Sequence, residues 1–401
     1  MLKYDVALYG ATGFTGQIVA QYLATHPQQP RIAFAGRNTA KIQSVIDNLV
    51  QVSAERVKSI GIIEASSDDY ASLQRLAEAA SVIINTVGPY SLLGGYDVVR
   101  AAAESGTGYV DLNGESTFFA QLAADHSAKA KETQAVIVPS CGFDALPFDL
   151  TTFLAVQLLK KEGSITNAAA LCGYSYQGGV SGGTIASILL KRDHPEELAL
   201  ASPYMLSPVE GESTLTNAVM ALPQFNEYGF PTILSPHNAR VVYRTSGLLQ
   251  SEPSLDYGAG FSYNEAHIAP SKIHARLALV VVYIISWLVI HVRLLGIVLT
   301  YLIPQGTGPS LETRLKGSLD VRTLVKADGK QAVATMRGNY DPGYHLTAQF
   351  ISEAALAIAL DRGSLSPVAR SGGIVTPATL GHALADRLNK YADVEVTAHR
   401  L

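Results

Sequence analysis

Three glycines near the N-terminus have the spacing of a phosphate-binding turn. Gly10, Gly13 and Gly16 form a G-x-x-G-x-x-G pattern between an apolar run and a segment of helical length. Such glycines permit a tight turn, a close approach of the backbone to a pyrophosphate and close packing of the helix on a sheet. We therefore predict that this turn binds a dinucleotide, an ordinary strand-to-helix turn being the alternative. The predicted contacts here are Gly10, Thr12, Gly13, Phe14, Thr15 and Gly16.

The end of the second predicted strand selects between the two pyridine dinucleotides. An enzyme that uses NAD usually has Asp or Glu there, because the carboxylate holds the ribose 2′-hydroxyl and repels a 2′-phosphate. This sequence has Gly36, Arg37 and Asn38 instead. Arg37 offers a planar, permanently charged group that can bind a phosphate. We predict that these three residues bind NADPH, with a surface arginine that caps a turn as the alternative.

A third segment, with the sequence Asn-Thr-Val-Gly-Pro-Tyr at 85–90, follows the fourth predicted strand. A loop at this position is expected to pass the nicotinamide half of the cofactor. We count Thr86, Val87, Gly88 and Tyr90 as cofactor contacts. The ring of Tyr90 either faces the nicotinamide or packs beneath the loop, and the sequence leaves both open.

Candidate catalytic groups are sought where parallel strands end, since open α/β sheets bind ligands there. Hydride transfer to a double bond also needs a proton donor for the adjoining atom. The candidates are Tyr90 and Tyr174, with a bound water as a third donor, and Asp111 as a contact to substrate or to the nicotinamide ribose. Cys141 is counted with the cofactor contacts and is expected to be a small buried residue at the domain hinge.

The composition limits the range of partners. The 401 residues are 48% hydrophobic and only 16% charged, with a formal net charge of −4. Soluble domains average about 25% charged residues. No basic stretch suggests a nucleic-acid partner, so the expected substrate is a small apolar molecule. The two cysteines lack the spacing of a zinc site, so no metal is expected. Because the sequence has only two cysteines and no apparent signal peptide, we expect a reducing, cytoplasmic location.

Alternating apolar runs and helix-length segments predict an α/β Rossmann domain with a parallel sheet over residues 1–140. Its six predicted strands lie at Tyr4–Tyr9, 31–35, 57–63, 82–85, 109–112 and 135–139. A second, α+β domain is predicted over 141–343, for substrate binding or dimerisation, with strand-like runs at 240–245, 321–323 and 331–337. Residues 344–401 are predicted to be C-terminal helices that return toward the first domain.

A strongly apolar block at 277–303 predicts contact with a membrane or lipid-droplet surface. Its first part, 277–292, is shorter than the roughly 20 residues of a spanning helix, and Arg293 interrupts the block. Because a charge at the bilayer centre is unfavourable, we favour a re-entrant or surface-lying apolar hairpin over a full span. Core helices or a homodimer interface are the alternatives.

Together these segments resemble the saccharopine dehydrogenase-like oxidoreductases, a family that includes the trans-acting enoyl reductases of lipid and polyketide assembly. The resemblance rests on five motifs: Gly-Ala-Thr-Gly-Phe-Thr-Gly at 10–16, Ala-Gly-Arg at 35–37, Asn-Thr-Val-Gly-Pro-Tyr at 85–90, Gly-Thr-Gly-Tyr-Val-Asp-Leu-Asn-Gly-Glu at 106–115 and Cys-Gly-Phe-Asp at 141–144. It implies an NADP-binding domain, a second domain on the substrate side and a C-terminal helix that returns to the first. Animal members are associated with lipid droplets.

The expected function is NADPH-dependent reduction of an enoyl-type double bond in a lipid-like or polyketide-like substrate. Two alternatives remain at this stage. One is a non-catalytic NADPH-binding protein of lipid surfaces, because no acid–base residue is evident. The other is a saccharopine-type C–N dehydrogenase, which the low charge disfavours because such a substrate carries several carboxylates.

Overall fold

The computed structural model describes residues 4–190, 192, 203–211 and 214–401, and the chain forms two compact units. The first unit comprises the chain up to Asn113, Phe118–Phe143 and Gly343–Asp393; the second comprises Gly114–Thr117, Asp144–Pro342 and Val394–Leu401.

The prediction that residues 344–401 are all C-terminal helices is wrong at its end. Val394–Arg400 form a strand of the second unit, which pairs with the strand Lys330–Gly338. Buried and exposed side chains alternate at the start of Val394–Arg400, as in a strand with one covered face.

The elements alternate along the first part of the chain. In order they are β1 (Tyr4–Tyr9), α1 (Phe14–Thr25), β2 (Ile32–Gly36), α2 (Thr39–Asp47), α3 (Ala54–Ser59), β3 (Gly61–Glu64), α4 (Tyr70–Ala79), β4 (Ala80–Asn85), α5 (Gly95–Ser105), β5 (Gly108–Asp111), α6 (Ser116–Glu132) and β6 (Val136–Val138). The third strand is shorter than the predicted 57–63. The hydroxyl of Ser53 accepts a hydrogen bond from the backbone N–H of Arg56, which starts α3 in place of an earlier strand.

The middle of the chain builds the second unit. Its elements are α7 (Leu146–Lys160), β7 (Ala169–Gln177), α8 (Gly182–Leu190), β8 (Met220–Leu222), β9 (Glu227–Phe230), α9 (Ser235–Leu249), β10 (Ser262–Ala269), α10 (Lys272–His291), α11 (Arg293–Leu302), α12 (Leu311–Leu315), β11 (Ser318–Ala327) and β12 (Lys330–Gly338). The remaining elements are α13 (Thr347–Leu360), α14 (Pro367–Arg370), β13 (Gly373–Ile374), α15 (His382–Tyr391) and β14 (Val394–Arg400).

The first unit contains a seven-stranded sheet in the order β13-β6-β5-β4-β1-β2-β3, and every pairing in it is parallel. The central strands are apolar at most positions because helices cover both faces of such a sheet. Six strands were predicted; the seventh, β13, is only two residues long and pairs with β6. The α/β class and the Rossmann arrangement predicted from the sequence are confirmed.

The second unit contains a mixed sheet in the order β14-β12-β11-β7-β10-β9-β8, in which β7 and β10 are parallel and the other pairs antiparallel. Helices α7 and α9 pack on this sheet. The predicted strand at 240–245 is wrong, because these residues lie inside α9. Arg240, Val241, Val242 and Tyr243 are all fully buried, so this part of α9 has no solvent-exposed face, and the run of apolar residues between two arginines looks like a strand in the sequence.

The apolar block forms two helices, α10 and α11, which meet at Val292. Helix α10 is long and apolar enough to cross a membrane by length and composition, and only 11% of its most apolar window, Lys272–Val289, is buried. One side of α10 packs on Phe230 and Ala269, through Ala275 and its partly buried neighbours. The remaining side chains of α10 and α11 are largely exposed.

Candidate functional site

The glycine turn of the first unit leaves no room for side chains at two of its three glycines. Gly10 has φ +92°, and a Cβ there would lie 2.7 Å from Cγ2 of Val87. A Cβ at Gly16 would lie 2.1 Å from the carbonyl oxygen of Gly10. The N–H of Gly13 donates to that same oxygen across 3.0 Å, which closes the turn. The turn between β1 and α1 is therefore fixed by close backbone contacts.

Gly13 differs from the other two glycines, because its missing side chain leaves an open space. A Cβ there would meet only the carbonyl oxygen of Gly10, at 3.4 Å. Gly13 is also the N-cap of α1 and provides no side-chain cap, so the first N–H groups of the helix, at Phe14, Thr15 and Gly16, face this space. Such a helix start suits a pyrophosphate. The residues present therefore fit the dinucleotide that the sequence predicts.

The other two predicted contacts of this turn, Thr12 and Phe14, flank Gly13 in the sequence. Thr12 is exposed, and its carbonyl oxygen accepts a hydrogen bond from the side-chain amide of Gln17 across 3.1 Å. The ring of Phe14 is half-buried and packs edge-on against Tyr344, with 5.3 Å between the ring centroids. Phe14 therefore contributes to packing as well as to the helix start.

At the end of β2, Arg37 is exposed, as a group that binds a phosphate must be. Asn38 is the N-cap of α2, and its side-chain oxygen accepts a hydrogen bond from the N–H of Lys41 across 2.9 Å. Gly36 is half-buried, and its carbonyl oxygen accepts a hydrogen bond from the N–H of Ala65. The structure thus brings Arg37 to the start of α2, directly before the Asn38 cap.

Two further residues near Arg37 were not found from the sequence. The hydroxyls of Tyr9 and Ser67 lie 3.0 Å apart, and Ser67 donates to the carbonyl of Leu93. Burial raises the pKa of Tyr9, and the charge of Arg37 acts in the opposite direction. Ser67 follows β3, the strand next to β2. This position after a neighbouring strand was the sequence signal that could have identified Ser67 as a site residue. Both hydroxyls therefore lie on the side of the sheet that carries Arg37.

The loop after β4 is attached to the glycine turn. The N–H of Thr86 donates to the carbonyl of Tyr9 across 2.9 Å, and its hydroxyl donates to the carbonyl of Gly10 across 3.2 Å. The N–H of Val87 donates to the side chain of Asn85, and Gly88 is exposed. The predicted contacts Thr86, Val87 and Gly88 therefore lie together beside Gly10.

Tyr90 packs beneath this loop. Its side chain is 6% exposed, and its hydroxyl donates to the carbonyl of Asn85 and accepts from the N–H of Leu112. These hydrogen bonds join the ends of β4 and β5. Of the two roles that the sequence left open for Tyr90, the geometry favours packing.

Asp111 is also bound within the protein. It is fully buried, and its carboxylate accepts hydrogen bonds from the hydroxyl of Tyr109 and from the N–H groups of Asn113 and Ser140. Its carbonyl oxygen accepts from the N–H of Cys141, which is fully buried, as expected for it. The Asp111 carboxylate therefore fixes the ends of β5 and β6, a positioning role.

Tyr174 lies in the second unit and is fully buried in the sheet. Its hydroxyl is 2.7 Å from that of Thr232, and burial raises the pKa of Tyr174 well above its usual value. A tyrosine in this environment is a weak proton donor to any substrate.

The most unusual acid of the second unit is Glu265, which the sequence analysis missed. It is 2% exposed, and its carboxylate accepts hydrogen bonds from Tyr263 across 2.7 Å and from the side-chain amide of Asn238 across 3.1 Å. Burial raises the pKa of Glu265 to about 7 despite these hydrogen bonds. Its sequence signal was weak, because Glu265 lies in a strand that also contains Ser262, Asn264 and His267. Among the residues that the structure describes, no group of three His, Cys, Asp or Glu side chains could hold a metal ion.

A family comparison bears on the first unit. Residues 6–138 match the family model described as the saccharopine dehydrogenase NADP binding domain. This range contains the glycine turn, Arg37 and the loop after β4.

Relatives with curated names cover nearly the whole chain. A Mycobacterium tuberculosis protein provisionally named a trans-acting enoyl reductase is 34% identical over 413 residues, which cover 96% of this chain and 95% of the relative. The trans-acting enoyl reductase of Mycobacterium ulcerans is 31% identical over 431 residues, which cover 100% of this chain and 98% of the relative. Among solved structures, apo saccharopine dehydrogenase (L-Glu forming) from Saccharomyces cerevisiae aligns with a TM-score of 0.51 at 15% identity, over 99% of this chain and 100% of that one, and so shows the fold.

Proposed function

Because this chain belongs to the saccharopine dehydrogenase-like oxidoreductases and is an NADP-dependent oxidoreductase, we propose that it reduces a carbon–carbon double bond of a lipid-like or polyketide-like enoyl substrate with NADPH. The observation that carries this proposal is the similarity to trans-acting enoyl reductases along almost the entire chain. An apolar substrate also agrees with a composition that is only 16% charged. A substrate with several carboxylates needs cationic side chains to bind it.

In this proposal the first unit holds the cofactor through its strand ends. The start of α1 binds the pyrophosphate, and the space at Gly13 accommodates it. Arg37 binds the 2′-phosphate with its guanidinium group. Thr86 keeps the loop after β4 beside the glycine turn. When bound, NADPH supplies the hydride for the β-carbon of the enoyl group.

The proton for the adjoining carbon comes from bound water in this proposal. Tyr90 and Tyr174 were the candidate side-chain donors and Asp111 a candidate contact to substrate or ribose, and the surroundings of each argue against that role. The Tyr90 hydroxyl is held between Asn85 and Leu112, and the Asp111 carboxylate accepts three hydrogen bonds. Tyr174 is fully buried, with its pKa raised. Removing the Tyr90 or Tyr174 hydroxyl should therefore leave the rate of protonation nearly unchanged.

The direct test measures the oxidation of NADPH through the loss of NADPH absorbance, with enoyl thioesters of increasing chain length as acceptors. We expect turnover that improves with chain length and a saturated thioester as the product. Saccharopine with NADP serves as the matched substrate for the C–N alternative. Turnover of saccharopine alone would favour that alternative, and NADPH binding without turnover of any acceptor would identify a non-catalytic NADPH-binding protein.

We also propose that a cytoplasmic protein of this kind contacts a membrane or lipid-droplet surface through α10 and α11. The support is the exposure of their large apolar side chains, among them Leu277, Trp287 and Ile297 at 62%, 58% and 67%. A second copy of the chain is the competing occupant of this surface. Flotation of the intact protein with lipid vesicles is expected, and it should be lost when residues 277–303 are replaced by a short polar linker. Full solubility without flotation would contradict this contact.

A further inference from the structure

A groove of about 570 Å³ lies in the second unit, between α8 and α11. Its lining includes Leu189, Arg192, Arg293, Ile297, Thr300 and Tyr301. Arginine, hydroxyl and apolar side chains thus share one concave surface. Such a lining suits a ligand with an anionic group at one end and an apolar part at the other.

The two arginines are directed to the same turn of α11. Gly296 follows Arg293 by three residues, so both positions lie on one face of the helix. A Cβ at Gly296 would lie 3.0 Å from Nη2 of Arg192 and 3.0 Å from Cδ2 of Leu189. The absence of a side chain at Gly296 therefore lets the Arg192 guanidinium lie against α11 next to Arg293.

Arg192 is held in place from the other side. Its Nε and Nη2 donate to the carbonyl oxygen of Val289, across 3.1 and 2.7 Å. That carbonyl is close to the end of α10, where unpaired carbonyl groups attract cations. Because the guanidinium is already oriented, little side-chain entropy is lost when it binds a ligand.

The segment that contains α10 and α11 carries only positive formal charges. Residues 266–311 contain no Asp or Glu, and their Lys and Arg residues are Lys272, Arg276 and Arg293. The groove also adjoins the exposed apolar surface of α11, where Leu294 and Tyr301 are 68% and 83% exposed. Aromatic side chains with an apolar ring and a polar tip are typical of the membrane–water interface.

We propose that this groove binds the phosphate headgroup of an anionic phospholipid at a membrane surface. Arg192 and Arg293 bind the phosphate oxygens, and Leu189 and Ile297 contact the apolar part of the lipid. The proposal rests on the proposed contact of α10 and α11 with a lipid surface, and it adds the class of lipid that this surface recognises.

The test is flotation of the intact protein with vesicles of phosphatidylcholine alone and of an equal mixture of phosphatidylcholine and phosphatidylglycerol. We expect preferential binding to the mixed vesicles. Arg293→Gln should weaken that binding by about fivefold, the effect of one basic residue near an anionic surface. The matched control is Arg276→Gln, an exposed arginine on α10 that does not line the groove, and its loss should be clearly smaller.

Equal losses for Arg293→Gln and Arg276→Gln would overturn the headgroup site, since diffuse attraction then suffices. If Arg293→Gln keeps its binding to phosphatidylcholine vesicles, the apolar contact stands independently of the headgroup site. Absence of binding to either vesicle contradicts both proposals, and so does a stable dimer that floats with neither. Tight binding of sn-glycerol 3-phosphate without flotation would assign the groove to a free phosphate and overturn the lipid assignment. Unchanged far-UV circular dichroism and NADPH binding in each variant show that the chain is folded.

Discussion

The guanidinium of Arg387 donates from Nε to Oε2 of Glu353 across 2.8 Å, and both side chains are buried, with 5% and 0% exposed. Glu353 also accepts hydrogen bonds from the hydroxyl of Tyr22 and from Nε2 of His26. Glu353 lies on α13 and Tyr22 on α1, so this cluster joins the C-terminal part of the first unit to the helix that starts at the glycine turn.

Replacing Glu353 with Gln should therefore destabilise the protein. The variant removes one of the two carboxylates that pair with Arg387 and leaves Asp361 as the other, so the loss should be below the about 3–5 kcal/mol of a fully unpaired buried charge. Glu312→Gln is the control, because Glu312 pairs with Lys316 on the surface and such pairs contribute about 0–1 kcal/mol. Urea denaturation followed by circular dichroism measures both. A Glu353 variant as stable as the Glu312 variant would show that the buried cluster is not required for folding.

Arg37→Ala should weaken NADPH binding and leave NADH binding nearly unchanged. The lost interaction is a charge-assisted hydrogen bond to the 2′-phosphate, worth about 1.5–3 kcal/mol, or roughly ten- to a hundredfold in affinity. Fluorescence titration with both cofactors measures the ratio. The control is Arg31→Ala. Arg31 pairs with Asp5 where β1 and β2 begin, at the edge of the sheet opposite to Arg37. The assignment of Arg37 is wrong if its variant binds NADPH like the Arg31 variant.

Gly13→Val should abolish cofactor binding while the fold persists. The added side chain has room in the protein, since the nearest atom to a Cβ is at 3.4 Å, but it occupies the space assigned to the pyrophosphate. Gly16→Val is the contrasting variant, because a Cβ there would lie 2.1 Å from a backbone oxygen and must disturb the turn itself. Far-UV circular dichroism and NADPH titration should separate the two. Normal NADPH binding by Gly13→Val would show that the turn is purely structural.

Glu265 should make the protein less stable as the pH rises from about 4.5 to about 7. Burial raises the pKa of Glu265 from 4.5 to about 7, so the folded state holds this proton more tightly than the unfolded state does. The resulting stabilisation is complete below pH 4.5 and is lost as the pH rises through the folded pKa. The shift corresponds to at most about 3 kcal/mol.

Denaturation at pH 5 and pH 8 compares wild type with Glu265→Gln, which keeps the shape but cannot ionise. The decrease in the free energy of unfolding between these pH values should be smaller in the variant. Glu312→Gln, an exposed glutamate, should retain the full decrease. Identical pH dependence in wild type and Glu265→Gln would contradict the assignment of a raised pKa to this residue.

The parts of the protein that depend on local chemistry could be predicted from the sequence. The turn at 10–16 needs glycines at Gly10 and Gly16 because neighbouring backbone and side-chain atoms are too close for a Cβ. The parallel strands are mostly apolar because both faces of the sheet are covered. The exposed Arg37 and the absence of an acid beside it indicated NADP because the determinant is one charge at one strand end.

The remaining features depended on partners distant in the sequence, and only the tertiary structure decided them. Helix α9 is buried on nearly all sides although many of its residues are polar, so its sequence did not show that it packs in the interior as a helix. Tyr90 and Asp111 had the chemistry of catalytic groups, but hydrogen bonds to Leu112 and Ser140 give them positioning roles. The raised pKa of Glu265 comes from burial between strand and helix, an environment that the sequence specifies only once the chain has folded.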